Sequence, residues 1–333
     1  MTEANEANDN SNSNWITVIS GYNRPNKLKS WWQIINSVGP YFILWVLMIK
    51  TIDISYWLTL LLVVLAAGFL VRIFIIFHDC GHGSFFISQK MNKIVGIITG
   101  LIVFTPYHKW HHDHKIHHQT VGNLDKRGTG DVKTLTVEEY SKLSNWEKFS
   151  YRFYRNPFFL FGVAPILLFT IQHRFTKEYM SVKEKIYVHL TTLAIAAAIA
   201  GLVLVIGWKT FLLIQLPILY IATVHGVWLF YVQHQYRDVL WEGEASWDYK
   251  TTALHGSSWF KLPPILNWFT GSIGYHHIHH LSPRVPNYNL RKCHFENSLF
   301  HSVKPITFFS AFESLFLRLY DVKKKRMIRF REI

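Results

Sequence analysis

The sequence is poor in cysteine and in acidic residues. Its two cysteines, Cys80 and Cys293, stand far apart, which excludes a disulfide framework and a paired zinc knuckle. Only 21 Asp and Glu face 35 Lys and Arg, leaving a net charge of +14. The basic residues gather beside apolar runs, as in Arg24 to Lys29, Lys90 to Lys93 and Lys323 to Arg331. A nucleic-acid surface has that charge but not so much uninterrupted aliphatic chain, whereas the cytoplasmic face of a membrane protein has both. The first residues, Met1 to Asn14, combine Asn with acidic side chains and lack a basic leader followed by an apolar core. They read as a polar, disordered tail, not a secretion signal.

What the chain has in quantity is apolar sequence, 50% of its residues. Ile54 to Phe77 and Ile186 to Gly207 each reach the roughly 20 residues that span a hydrocarbon core. With Ile34 to Lys50 and Phe211 to Val232 they make two transmembrane hairpins, at about 34–50 with 54–77 and 186–207 with 211–232, the last helix carrying Pro217. Two shorter apolar stretches, 94–106 and 158–172, are expected to be re-entrant or interfacial. The links at the far ends of the hairpins hold only Lys50 and Lys209, so the opposite side, with nearly all the other basic residues, reads as cytoplasmic. The expected plan is an all-α integral membrane protein of one domain, 31–320. A disordered, polar tail at 1–30, a basic tail at 321–333 and a cytoplasmic helical cap complete it. No internal repeat interrupts this plan.

Histidine is the most informative residue. Of 19 histidines, three clusters hold His78 and His82; His108, His111, His112, His114, His117 and His118; and His276, His277, His279 and His280. Residues three or four apart share a helix face. His78 with His82, His114 with His117 and His118, and His276 with His279 and His280 therefore each present adjacent imidazoles. Neutral imidazole binds iron, zinc, copper or nickel, and several such faces converging would enclose more than one ion. Spacing alone does not choose within the middle cluster, because His108, His111 and His112 repeat the interval of His114, His117 and His118. If the clusters share one site they lie on one side of the membrane, so neither short apolar stretch crosses it singly.

The clusters resemble the three histidine boxes of the membrane fatty acid desaturase family: HDCGH at His78 to His82, HKIHH at His114 to His118, and HHIHH at His276 to His280. The resemblance runs from the first hairpin to the third box and includes HDCGHGSFF, HHQTVGNLD and IGYHHIHHLSPRVPNYNL. The strings look most like bacterial acyl-lipid desaturases that act on membrane phospholipids. In that family the second box commonly follows a tryptophan four positions earlier, as Trp110 precedes His114, which makes His108, His111 and His112 neighbours. The family also uses a histidine just after the last transmembrane helix, a place matched by His234 in YVQHQY. His225, nine helical residues earlier, points half a turn away and is read as a packed histidine. In some relatives an asparagine four positions before the matching histidine contacts metal through water; here that residue is Phe230.

The resemblance implies a di-metal site of nine ligands, His78, His82, His114, His117, His118, His234, His276, His279 and His280, holding two iron ions. It implies an O2-dependent oxidoreductase that inserts a cis double bond into the acyl chain of a membrane lipid in the cell membrane. Zinc lacks the redox change such chemistry needs. No cysteine cluster or appended module carries a haem or iron–sulfur centre, so electrons are expected from a separate ferredoxin or flavodoxin. Lipid and carotenoid hydroxylases, ketolases and alkane monooxygenases share the histidine scaffold and stay open at this point. A metal transporter is the remaining alternative from another class. Asp79, Asp113, Asp125, Asp131, Glu242, Glu244 and Asp248 are carboxylates near the boxes in sequence, unassigned to partners. Gly81, Gly83 and Gly274 are candidates for close packing. His173, His189, His255, His277, His294 and His301 are read as structural or interfacial.

Overall fold

A computed structural model describes residues 15–333; the expectation for Met1 to Asn14 lies outside the described residues. Two helical hairpins form the membrane part. Helix α1 (Lys27–Thr51), capped by the Asn26 side chain, packs on α2 (Tyr56–Gly81). Further along the chain, α8 (Val182–Ile206) turns at Gly207, whose φ of 80° is open to glycine, into α9 (Trp208–His234). These four helices are long and apolar enough to cross a membrane. Their outward faces are bare hydrocarbon, with Leu204 87%, Val205 82% and Leu61 67% exposed. Water would penalise so continuous an apolar surface, whereas lipid does not.

Helix length places the site. At 1.5 Å per residue, His78 lies about 33 Å along α2, past the roughly 30 Å hydrocarbon core. His234 ends α9 in the same way. Two further segments lie between the hairpins. Helix α3 (Gln89–Ile102) folds back along α2, with Gly96 against Tyr107 and Cys80 and Gly100 against Phe77. It leads into α4 (Tyr107–Thr120), which carries the second box. After a one-turn helix α5 (Val137–Ser141), α6 (Asn145–Tyr154) meets a π-helical turn (Phe158–Val163) and α7 (Ala164–Thr170) at a 49° bend. By length and composition that bent pair is a broken span or a re-entrant loop. The start of α8 lies beside α4, with His108 stacked on Tyr187 at 4.2 Å and His112 Nδ1 3.1 Å from Glu184 Oε1. Lys109 Nζ donates to the carbonyls of Gln172 and Phe175, and the Tyr154 hydroxyl accepts from the Lys133 amide, so both ends of 155–174 contact segments that adjoin the second box.

The cap contains α10 (Tyr249–His255), α11 (Pro264–Phe269), α12 (His276–Leu281) and α13 (Asn287–Glu296). Five short strands accompany them: β1 (Leu135–Thr136), β2 (Trp259–Lys261), β3 (Pro305–Thr307), β4 (Leu319–Asp321) and β5 (Arg326–Ile328). β2 pairs with β3 in parallel, and β4 pairs with β1 in parallel and with β5 antiparallel. Helix α11 was not anticipated. It lies against Gly68 and Arg72 of α2, the Arg72 guanidinium sitting 3.9 Å from the Trp268 ring centre and donating to the Trp268 carbonyl.

Both expected tails are structured where they are described. Residues 15–20 are helical, Ile19 is buried in the cap, and Tyr22 donates to Glu296 at 2.8 Å. At the other end, 321–333 folds back as β5, burying Met327 and Ile328. Arg237 donates to both Glu313 and Glu332, fixing that hairpin. The basic residues hid the two apolar side chains that dock it. The amphipathic stretch Ile306 to Tyr320 forms most of β3, a 3-10 turn (Ser310–Phe316) and the start of β4, with Phe308, Phe309, Phe312 and Phe316 exposed.

Candidate metal centre

Four elements converge on one spot. The end of α2 supplies His78 and His82, α4 supplies His114, His117 and His118, α9 ends on His234, and α12 supplies His276, His279 and His280. The nine sort into two groups, His78, His82, His114, His118 and His279, and His117, His234, His276 and His280, with ligand atoms in each group within 4.8 Å of one another. Adjacent members of one helical box divide between the groups: His118 joins the first and His117 the second.

Contacts inside the groups are too many for hydrogen bonds. Nε2 of His114 lies 3.1 Å from that of His78 and 3.1 Å from that of His118, which is 3.0 Å from that of His279. In the other group the Nε2 atoms run His117, His234, His276, His280 at 3.2, 3.0 and 3.1 Å. An imidazole nitrogen carries either one hydrogen or one lone pair in the ring plane, so it serves one hydrogen bond. Yet His114, His118, His234 and His276 each stand in two such contacts. A shared cation resolves this: ligands about 2.1 Å from a metal lie about 3.0 Å apart along an octahedral edge and about 3.4 Å apart along a tetrahedral one. The Nε2 of His82 is buried without a hydrogen-bond partner, as a nitrogen reserved for an ion would be.

Electrostatics favour the same state. Burial, reinforced by neighbouring imidazoles, holds His82, His114, His118, His276, His279 and His280 well below the ordinary histidine range, so their lone pairs are free. Two carboxylates orient the rings. His117 Nδ1 lies 2.6 Å from Asp131 Oδ1, and His78 Nδ1 lies 3.1 Å from Asp79 Oδ1. With Nδ1–H engaged, each ring turns Nε2 inward. Asp79 also accepts from the backbone and side-chain amides of Asn287, whose Oδ1 takes a bond from Gln33 of α1. His234 Nδ1 faces the Gly256 carbonyl at 3.3 Å.

The other carboxylates near the boxes have other work. Asp113 accepts from Tyr179, Asp125 from the Glu244 amide, and Asp248 caps α10; Glu242 pairs with Lys325 and Glu244 with Lys126. His108 and His112 contact α8, His111 stacks on Tyr107, and His277 pairs with His294 at 3.2 Å. None of these, nor His225, enters either group. Gly81 meets the Trp110 ring, whose face stacks on His114 at 4.2 Å, and Gly274 meets the Phe260 carbonyl. Phe230 sits 5.2 Å from the His117 ring and 5.1 Å from that of His234. Beside it opens a cavity of about 260 Å³ lined by Asp131, Val132, Thr134, His234 and Gln235; a second, of about 300 Å³, borders His82, Trp110, His114 and His118.

Comparison with known proteins is consistent with this geometry. A Bacillus subtilis protein named fatty acid desaturase is 48% identical over 315 residues, 95% of this chain and 90% of its own. A Synechocystis sn-1 acyl-lipid omega-3 desaturase (ferredoxin) is 30% identical over 66% of this chain and 62% of its own. An endoplasmic reticulum omega-3 fatty acid desaturase of Nicotiana tabacum is 31% identical over 66% of this chain and 59% of its own. The model of the fatty acid desaturase family matches residues 55–304, a range that runs from the start of α2 past all three boxes, and this chain belongs to that family.

Proposed function

We propose that this membrane desaturase inserts a cis double bond into an acyl chain of a membrane phospholipid, using two iron ions, dioxygen and two electrons from a separate ferredoxin or flavodoxin. The observation that carries the reading is the sorting of nine imidazoles into a group of five and a group of four. The two groups share helices α4 and α12, so two ions held there would act as one centre. When bound, the irons supply dioxygen activation and the redox equivalents for removing hydrogens from two adjacent methylenes.

The chain's own residues place and shield that chemistry. Asp79 and Asp131 fix the tautomers of His78 and His117. Trp110 covers His114, and Phe230 gives the four-histidine group an apolar wall that excludes water and accommodates methylenes. A phospholipid substrate agrees with a site just past the ends of α2 and α9, where an acyl chain is reached from the bilayer. The relative named acyl-lipid desaturase (ferredoxin) supports both substrate and donor class. The basic bias of the histidine side supports a cytoplasmic active site in the cell membrane.

The test is expression in a bacterium lacking its own desaturase, with mass spectrometry of double bonds in the phospholipids and iron analysis of the purified protein. Two irons per chain and a new double bond are expected. His117→Ala and His279→Ala should each abolish product and lower iron while leaving membrane insertion intact; His112→Ala should keep both. A hydroxylated lipid without a new double bond would overturn desaturation, and full activity in His117→Ala or His279→Ala would remove that residue from the site.

A further inference from the structure

We infer that Arg155 is a positioning residue for the four-histidine half of the metal centre, an inference that rests on the two-metal reading above. Arg155 follows α6, at the point where the interfacial segment begins, and its side chain has no exposed surface. A buried guanidinium is costly unless its hydrogens are used. This one donates through Nη1 to the Lys133 carbonyl at 3.2 Å and Thr134 Oγ1 at 2.8 Å. The two hydrogens of Nη2 are shared among Tyr231 Oη, Gln235 Oε1 and the Leu317 carbonyl, each at 3.0 Å, while Nε is buried without a partner. None of the five partners is a carboxylate.

The partners come from three segments. Lys133 and Thr134 belong to the loop that carries Asp131, the partner of His117. Gln235 follows His234 directly, and Tyr231 lies one helical turn before it. Leu317 belongs to the C-terminal part of the cap, and the Tyr231 hydroxyl also donates to the Ser314 carbonyl. The single hydrogen of Thr134 Oγ1 has two acceptors in reach, the Val132 carbonyl at 3.0 Å and Gln235 Oε1 at 3.1 Å, and the second links loop and helix end. One planar fork thus sets the distance between the loop that orients His117 and the helix end that bears His234. Lysine, with a single nitrogen, could not reach these acceptors together.

The network is specific to one half. Its groups adjoin the cavity beside Phe230 and His234. The five-histidine group is braced separately, through Asp79, Asn287 and Gln33. A purely structural arginine would weaken both halves together. A positioning arginine weakens one.

The experiment uses full-length protein in lipid nanodiscs, loaded with iron and challenged anaerobically with graded ferrous chelator. In Arg155→Met one iron equivalent should be lost at chelator concentrations about 10- to 100-fold lower than in the wild type, the range for groups that orient metal ligands, while the other is unchanged. Arg155→Lys should fall between. Thr134→Val removes the two bonds that the hydroxyl makes with Arg155 and Gln235, without a large volume change, and should shift the same equivalent about 2- to 10-fold; it serves where Arg155→Met fails to fold. Placed on His279→Ala, Arg155→Met should strip the remaining iron; placed on His117→Ala, it should leave the remaining iron in place. A wild type holding two irons whose Arg155 and Thr134 variants release both equally, or neither more readily, overturns this inference alone. A wild type that never holds a second iron overturns the two-metal reading with it.

Discussion

Asp131→Asn separates the charge of a ring-orienting partner from its hydrogen bond. His117 Nδ1 lies 2.6 Å from Asp131 Oδ1, and the Asp131 side chain is 21% exposed with His117 fully buried. The asparagine Oδ1 still accepts the Nδ1 hydrogen, so ring orientation survives while the negative charge is lost. Hydrogen bonds to charged groups contribute about 1.5–3 kcal/mol against about 0.5–1.5 for neutral ones, so the substitution costs about 1–1.5 kcal/mol. At 1.4 kcal/mol per tenfold, metal affinity of the four-histidine group falls roughly tenfold. Asp131→Ala forfeits the whole bond and falls toward a hundredfold. The assay is iron retained per chain against graded chelator, alongside thermal unfolding. Asp131→Asn should lose one iron early with an unchanged transition. Asp79→Asn, by contrast, should lower the transition as well, because Asp79 is 1% exposed and also holds two Asn287 donors. Wild-type affinity in Asp131→Asn and Asp131→Ala, or loss of the five-histidine iron first, would refute the reasoning.

Gly81→Ala would put a Cβ 2.7 Å from the Trp110 ring; relieving that overlap costs about 1–3 kcal/mol and displaces the ring that covers His114. Iron content of the five-histidine group and desaturation should fall together, and unchanged values would show the ring has room to move. Hydrogen exchange of Arg326–Ile328 should be pH-dependent. The Arg237 guanidinium beside Glu313 holds that carboxyl below its ordinary value of 4.5. Its stabilising effect is therefore complete above that value and is lost as pH falls through the lower, folded value. Protection of β5 should decline in acid, and Glu313→Gln should flatten the profile; a profile unmoved by Glu313→Gln would exclude the pair as its cause.

The histidines were legible because ligand spacing on a helix is a local property. His114, His117 and His118 share a face wherever the helix goes. Their division between two groups was not legible: it depends on α12 arriving opposite α4, which sets His118 Nε2 3.0 Å from that of His279, a residue 161 positions away. The orienting carboxylates divide in the same way. Asp79 adjoins its histidine in sequence, yet its Asn287 donors come from 208 residues on. Asp131 is one of several acids near the second box and is distinguished only by how its loop folds. The C-terminal hairpin was hidden because composition averages Met327 and Ile328 with the lysines and arginines around them.

The same contrast explains how each half is braced. Helices α2 and α1 form a local hairpin, so a chain of bonds from Gln33 through Asn287 and Asp79 steadies His78 against the membrane helices themselves. The four-histidine group is braced from further away, because His234 ends α9 and the loop bearing Asp131 is held by the two-residue strand β1, by the Tyr154 and Tyr151 hydroxyls that accept from the Lys133 and Leu135 amides, and by Arg127 paired with Glu139. That loop and that helix end need a bridge from outside the bilayer. A guanidinium supplies it: the two terminal nitrogens of one planar group reach three segments, while Nε is buried without a partner. The charge that composition assigns to a basic surface is, at Arg155, the inner support of the metal centre.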